Sequence, residues 1–173
     1  MLAGDHICAF YRGRSERDNL VVPFLRDGVR AGQPCICVVD ASEHDGIRDA
    51  LDGDVDGLVM EGFEETYLRS GSFRGPEMLA YWQHRHFARG VTDLSWAQPQ
   101  LSAARLELDD LVAYEVEVTG FTRSCRQVAL CLYDLDLFGG DVIIPVMKAH
   151  PKVRFNGMVL ENLYPTEGTC RTV

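Results

Sequence analysis

A mostly parallel α/β sheet with helices on both faces, closed by a C-terminal β-hairpin, is the fold class this sequence predicts. Three observations carry it. Short apolar runs alternate with helical patterns along most of the chain. The run Gln127 to Tyr133, QVALCLY, is continuously apolar, as a central parallel strand buried on both faces must be. Between two short apolar runs near the end, Asn156-Gly157 supplies the strongest short hairpin signal.

In chain order, His6 to Tyr11 is the first strand, a polar turn follows, and a helix is expected from about Glu16 to Ala31 before a second strand, Cys35 to Val39. Ser15 with Asp18 forms a capping-box pattern, Leu20, Val21, Phe24, Leu25 and Val29 recur at helical spacing, and Gly32 sits where a C-terminal cap belongs. Ser42 to Leu51 reads as a short helix with an N-cap serine, Leu58 to Met60 as a third strand, and Glu64 to Arg69 as a helical piece. Pro76 opens a helix that Gly90 is expected to close. Val91 to Trp96 is the next strand, Ala97 to Arg105 a polar loop, Leu106 to Cys125 a long helix, and Val142 to Ala149 a last helix ended by His150-Pro151. Residues 1–165 are expected to form one domain, with 166–173 a tail.

In nucleotide-binding α/β proteins the first loop delivers phosphate to a helix N-terminus, whose free amides and positive dipole end attract anions. Here that loop reads Tyr11-Arg12-Gly13-Arg14-Ser15-Glu16, with neither G-x-x-x-x-G-K-[ST] nor G-x-G-x-x-G. Glu16 and Asp18 would also meet a triphosphate with negative charge. A nucleotide-type architecture without nucleotide chemistry follows. The net charge of −9, with no block of lysine or arginine, argues against direct nucleic-acid or anionic-membrane binding. No apolar run approaches the roughly 20 residues of a membrane helix, and a cytoplasmic protein is expected.

Six cysteines are present, four of them inside apolar runs, without a C-x-x-C or zinc-type spacing. They read as reduced core residues, with a redox role open for Cys125 or Cys170. His84 and His86, two apart on a helix, point in different directions and do not form a metal pair. No metal or other cofactor is expected. No G-x-S-x-G and no recognisable cysteine-protease context is present, and the chain is expected not to be an enzyme.

Glu115 is the most informative residue. On the long helix Leu108, Leu111, Val112, Val118 and Thr122 form an inward stripe, and at about 100° per residue Glu115 falls in its middle. A core-facing carboxylate must be paired, hydrogen-bonded or neutral, so Glu115 is a structural partner, a polar ligand anchor or a catalytic acid or base. His6 shares a strand face with Cys8 and Phe10, and His150 stands favourably at a helix C-terminus. Asp134, after QVALCLY, resembles the acid ending a Walker B strand, but without a phosphate loop a sheet-end hydrogen-bonding role fits better. Parallel sheets bind ligands at the carboxyl ends of their strands, which places Phe10, Tyr11, Arg14, Trp96, Cys131, Tyr133 and Asp134 among the candidates.

The opening H-I-C-A-F-Y, the helix ending G-V-R-A-G-Q, the strand P-C-I-C-V-V, Tyr67 to Phe73, Leu94-Ser95-Trp96, Tyr114-Glu115, Leu130 to Asp134 and His150-Pro151 together resemble, in order, the MEDS domain. That sensory domain is named for methanogen and methylotroph proteins and for the dichloromethane regulator DcmR. The resemblance implies a RecA-like or KaiC-like core without its phosphate-binding loop, acting as a sensor of small hydrocarbon derivatives. It also implies His6, Tyr11, Trp96, Glu115, Tyr133, Asp134 and His150 as site residues. The chain departs from the family pattern at Val91 to Trp96 and at Asn162-Leu163-Tyr164-Pro165. Related proteins carry DNA-binding or kinase-type output modules, so a regulatory partner in trans or a homodimer is expected to pass the signal on. The competing expectations are a degenerate ATPase using Arg14, Ser15 and Asp134, and a ligand-free interaction module.

Overall fold

The computed structural model describes residues 1–162 except 54, 86 and 156. The tail and the Asn156 position of the hairpin turn therefore lie outside the described residues, as do Cys170, Leu163 to Pro165 and His86.

The described strands are β1 (His6–Tyr11), β2 (Cys35–Val38), β3 (Leu58–Glu61), β4 (Arg89–Asp93), β5 (Val128–Asp134), β6 (Lys152–Phe155) and β7 (Met158–Glu161). They form one sheet in the order β3-β2-β4-β5-β1-β6-β7. Only β6 and β7 pair antiparallel, as the predicted hairpin, and every other pairing is parallel. The helices are α1 (Gly13–Arg30), α2 (His44–Ala50), α3 (Gly75–Gln83), α4 (Ala97–Ser102), α5 (Leu108–Cys125) and α6 (Gly140–Ala149).

Strand alternation divides the core in two. Ile7, Ala9, Cys37, Val91, Leu130 and Leu132 pack under α1 and α2 with Val21, Leu25, Ile47 and Leu51. Cys8, Ile36, Cys131 and Tyr133 face the other way, under α3, α5 and α6, with Trp82, Tyr114, Phe121 and Val146. Each fully buried aliphatic side chain contributes about 1.5–3 kcal/mol of transfer free energy. Both layers are therefore required.

Several element boundaries differ from expectation for local reasons. α1 begins at Gly13, whose φ of +63° turns the chain directly out of β1. Its N-cap is Arg12 without a side-chain cap, and the Ser15 capping box does not form. Instead the Arg12 amide donates to Glu16 Oε2 at 2.7 Å, so a carboxylate of the chain itself occupies the place where an anion would dock.

A 3₁₀ turn, Ala41–Glu43, precedes α2 and is capped by Asp40, which accepts from the Ser42 amide at 2.9 Å. The cap is thus the aspartate rather than the serine. The stretch Phe63 to Ser70 forms turns rather than a helix. α3 stops at Gln83, and Gly90 lies inside β4, where a Cβ would stand 2.9 Å from the Phe87 ring and 3.3 Å from Ile36. β4 itself ends at Asp93, which accepts from the Ser95 amide at 2.9 Å and turns the chain. Trp96 consequently begins α4, a short helix in the predicted loop.

Candidate functional site

The described structure contains a fully buried polar cluster on the α5 side of the sheet. β1 contributes His6 from its first residue, β5 contributes Cys131 and Tyr133, α5 contributes Glu115, and His150 caps the C-terminus of α6. None of these five side chains is more than 6% exposed. The parallel register explains the meeting: His6 and Cys131 lie on the same face of adjacent paired strands, with Cys8 opposite Cys131. Glu115 is lowered onto them by the inward stripe of α5.

Tyr133 Oη donates to Glu115 Oε1 at 2.6 Å. Glu115 Oε2 lies 3.3 Å from His6 Nε2, 3.4 Å from His150 Nε2 and 3.7 Å from Cys131 Sγ. His6 Nε2 is also 3.3 Å from Cys131 Sγ, and the two imidazole centroids are 4.1 Å apart. The outer ring nitrogens are tied down: His6 Nδ1 to Thr119 Oγ1 at 2.8 Å, and His150 Nδ1 to the Val146 carbonyl at 2.7 Å. Asn162 Nδ2 donates to the His150 and Met147 carbonyls, each at 2.8 Å, which holds this helix end.

Burial alone would raise the Glu115 carboxyl, but the two histidines hold it below the ordinary carboxylate range. Burial, reinforced by neighbouring His150, pulls the His6 imidazole down to about 4. Burial, then the Glu115 charge, pushes the Cys131 thiol and the Tyr133 phenol upward. The ionised carboxylate is thus the group around which the others are arranged.

Beside this cluster is a cavity of about 30 Å³. Tyr67, Trp82, Phe87, Tyr114 and Phe121 form its aromatic walls, and Glu115 and Cys131 border it. One water needs roughly 10–15 Å³ of such space, so the cavity admits an occupant of a few heavy atoms. Its aromatic walls are linked by hydrogen bonds, Trp82 Nε1 to Tyr114 Oη at 2.7 Å and Tyr67 Oη to Tyr114 Oη at 3.3 Å.

The structure divides the ten residues singled out from the sequence. His6, Glu115, Cys131, Tyr133 and His150 meet in the cluster. Trp96 does not border the cavity but stacks on Tyr67, which does, with centroids 4.6 Å apart. Phe10 packs near Tyr133 at 6.4 Å and faces a separate groove of about 280 Å³ at the rim.

The remaining three are engaged elsewhere. Tyr11 points to the opposite face and donates to Asp93 Oδ2 at 2.7 Å. Arg14 pairs with Glu43 at 2.8 Å, and Asp134 accepts from the Asp136 amide at 2.9 Å, shaping the turn after β5. The cluster accordingly lies beneath α5, on the face of the sheet, rather than at the strand carboxyl ends. Sequence reasoning did not name Tyr67, Thr119 or the Val146 carbonyl as site groups: Tyr67 entered only within the motif Tyr67 to Phe73, and the other two carry no distinctive local pattern.

Cys131 is more than a small core hydrophobe, because its thiol faces Glu115 and His6. Cys8, Cys35 and Cys37 are buried and free, and Cys125 is free and exposed. No described helix is long and apolar enough to cross a membrane.

Comparison with known proteins agrees with this architecture. The flagellar accessory protein FlaH of Methanocaldococcus jannaschii superposes with a TM-score of 0.63 at 11% identity, covering 92% of this chain and 76% of that one. That likeness concerns the fold alone, which is RecA-like. The transcriptional repressor DcmR of Methylorubrum extorquens is 24% identical over an alignment 169 positions long that covers 84% of this chain. The chain spans only 58% of that relative's length. A family profile described as the methanogen/methylotroph, DcmR sensory domain matches residues 5–151, a span that runs from just before His6 to just after His150. This chain belongs to the MEDS family of sensory domains.

Proposed function

We propose that this chain is a non-enzymatic sensory domain that binds a small organic molecule in the aromatic cavity beside Glu115. The observation that carries the reading is the cavity itself: aromatic walls, very small volume, and an ionised carboxylate and a thiol at one side. Apolar walls with a few placed polar groups are how small, mostly apolar molecules are held. A hydrocarbon derivative of a few heavy atoms suits that space, in keeping with the sensory family and with a transcriptional repressor among its relatives.

Occupancy matters only if two conformations bind the molecule unequally. The segment Phe63 to Phe73 is the element suited to respond, since Tyr67 borders the cavity and stacks on Trp96, while Phe73 meets Trp96 at a tilt. A regulatory partner in trans, of kinase or transcription-factor type, or a second copy of the chain then reads the change.

The test is a thermal-shift panel of small methylated, halogenated and carboxylated compounds, with magnesium ATP as the rival. A compound present at about 100 times its Kd adds roughly 2.7 kcal/mol, a shift of several degrees. Ala129→Leu, which fills the cavity from β5, should abolish that shift in a protein that remains folded. Mass spectrometry should recover the compound unchanged after incubation. A shift with ATP alone, or chemical turnover of the bound compound, would overturn the reading.

A further inference from the structure

We propose that His6, Glu115, Cys131 and His150 form a binding site for a divalent first-row transition metal, with two imidazole nitrogens, one carboxylate oxygen and one thiolate as donors. One donor atom from each lies within 4.8 Å of all the others. Zinc-type donors sit about 2.0–2.3 Å from the metal, so tetrahedral geometry places neighbouring donors about 3.3–3.8 Å apart. Four of the donor separations here are 3.3, 3.3, 3.4 and 3.7 Å. Four of the six edges of a coordination tetrahedron are thus already near their bound lengths, and the two remaining separations, from His150 Nε2 to His6 Nε2 and to Cys131 Sγ, are within 4.8 Å.

The outer hydrogen bonds point the same way. Because a carbonyl only accepts, His150 Nδ1 must carry a proton to bond Val146, and a neutral ring then presents a lone pair at Nε2. That nitrogen is fully buried, has no hydrogen-bond partner, and faces the acceptor Glu115 Oε2 at 3.4 Å. Two lone-pair atoms opposed in this way require something positive between them.

Thr119 Oγ1 donates to the Glu115 carbonyl at 3.3 Å and so accepts from His6 Nδ1, while Tyr133 takes up Glu115 Oε1, leaving Oε2 for a metal. With both imidazoles neutral, a carboxylate and a thiolate balance a divalent cation, so the buried site carries no net charge. The donor set of nitrogen, oxygen and one sulfur favours zinc, cobalt or iron over the hard cations magnesium and calcium. Glu115 and Cys131 also border the cavity, so a metal would form part of its wall. The inference does not depend on which organic molecule the cavity takes.

The test is metal analysis of untagged protein purified without chelator, followed by cobalt titration of the chelator-stripped chain. One equivalent per chain is expected, with the visible bands of tetrahedral cobalt and a near-ultraviolet thiolate-to-cobalt charge-transfer band. Cys131→Ser should remove the charge-transfer band, whereas Cys125→Ser, at the exposed thiol, should leave the spectrum unchanged. Thr119→Val should weaken cobalt binding by about 10–100-fold, the usual effect of losing an outer hydrogen bond to a ligating histidine. If Cys131→Ser fails to fold, the wild-type spectrum and the Thr119→Val affinity still decide. Folded wild-type protein that takes up no stoichiometric cobalt, or binds it with an octahedral, thiolate-free spectrum, would overturn the site. The cluster would then be a structural hydrogen-bond network centred on Glu115.

Discussion

The two faces of this sheet are built from alternate residues of the same strands, and they have been put to different uses. Under α1 and α2 the core is largely aliphatic, with Val21, Leu25, Ile47, Leu51, Leu130 and Leu132 meeting without a polar cluster. Polar groups on that side gather at the strand ends, where buried Asp93 accepts from Tyr11 at 2.7 Å and Arg17 pairs with Asp18 and Glu43, each at 2.8 Å. Under α3, α5 and α6 the core is aromatic, contains an ionised carboxylate and two histidines, and leaves a cavity. Aliphatic side chains fill space closely, whereas rings joined by hydrogen bonds keep fixed orientations and leave gaps between them. One face thus supplies stability, and the other can hold a ligand.

This contrast can be broken by experiment. The largest effect should come from Leu25→Ala on the aliphatic side, where a fully buried side chain is lost and unfolding free energy should fall by about 2–5 kcal/mol in urea titrations. Cobalt stoichiometry of the folded fraction should not change. A loss of binding there would show that the faces are coupled.

Tyr133→Phe, on the other face, removes the donor to Glu115 Oε1 and should cost about 1.5–3 kcal/mol, as hydrogen bonds to charged groups do. Unlike Leu25→Ala it should also weaken cobalt binding.

Gly28→Ala tests how tightly the aliphatic side is packed. The added Cβ would stand 2.6 Å from Cys35 Sγ and 2.7 Å from Arg89 Cδ, and overpacking of this kind costs about 1–3 kcal/mol. An unchanged denaturation midpoint would show more slack there than the distances allow. The smallest effect belongs to Arg12→Ala at the rim. It breaks an exposed ion pair with Asp136, worth about 0–1 kcal/mol and weakened further by salt. A larger loss would mean that the rim contributes more than surface ion pairs do.

Much of the architecture could be read from local pattern. The parallel strands, the long α5 and the hairpin follow from hydrophobic period and turn chemistry, which act over a few residues. Boundaries moved where a side chain captured a nearby amide, as Asp93 did at Ser95 and Asp40 at Ser42. The inward position of Glu115 was legible because helical period alone sets it. Its partners were less so. Cys131 was named only as a strand-end candidate and His150 only through the family resemblance, and nothing local tied either of them to Glu115.

The sequence by itself determined the alternation of strands and helices, the absence of a phosphate-binding loop, and the carboxylate on the buried side of α5. It also set which residues share a strand face, since side chains alternate along a strand. Only the tertiary structure decided which faces meet. Strand order places β5 beside β1, and α6 ends over that pair. Residues 6, 115, 131 and 150 are thereby brought within 4.8 Å of one another, although no local interaction links them. Local periodicity can aim a side chain inward, but what it finds there depends on the packing of elements far apart in the chain.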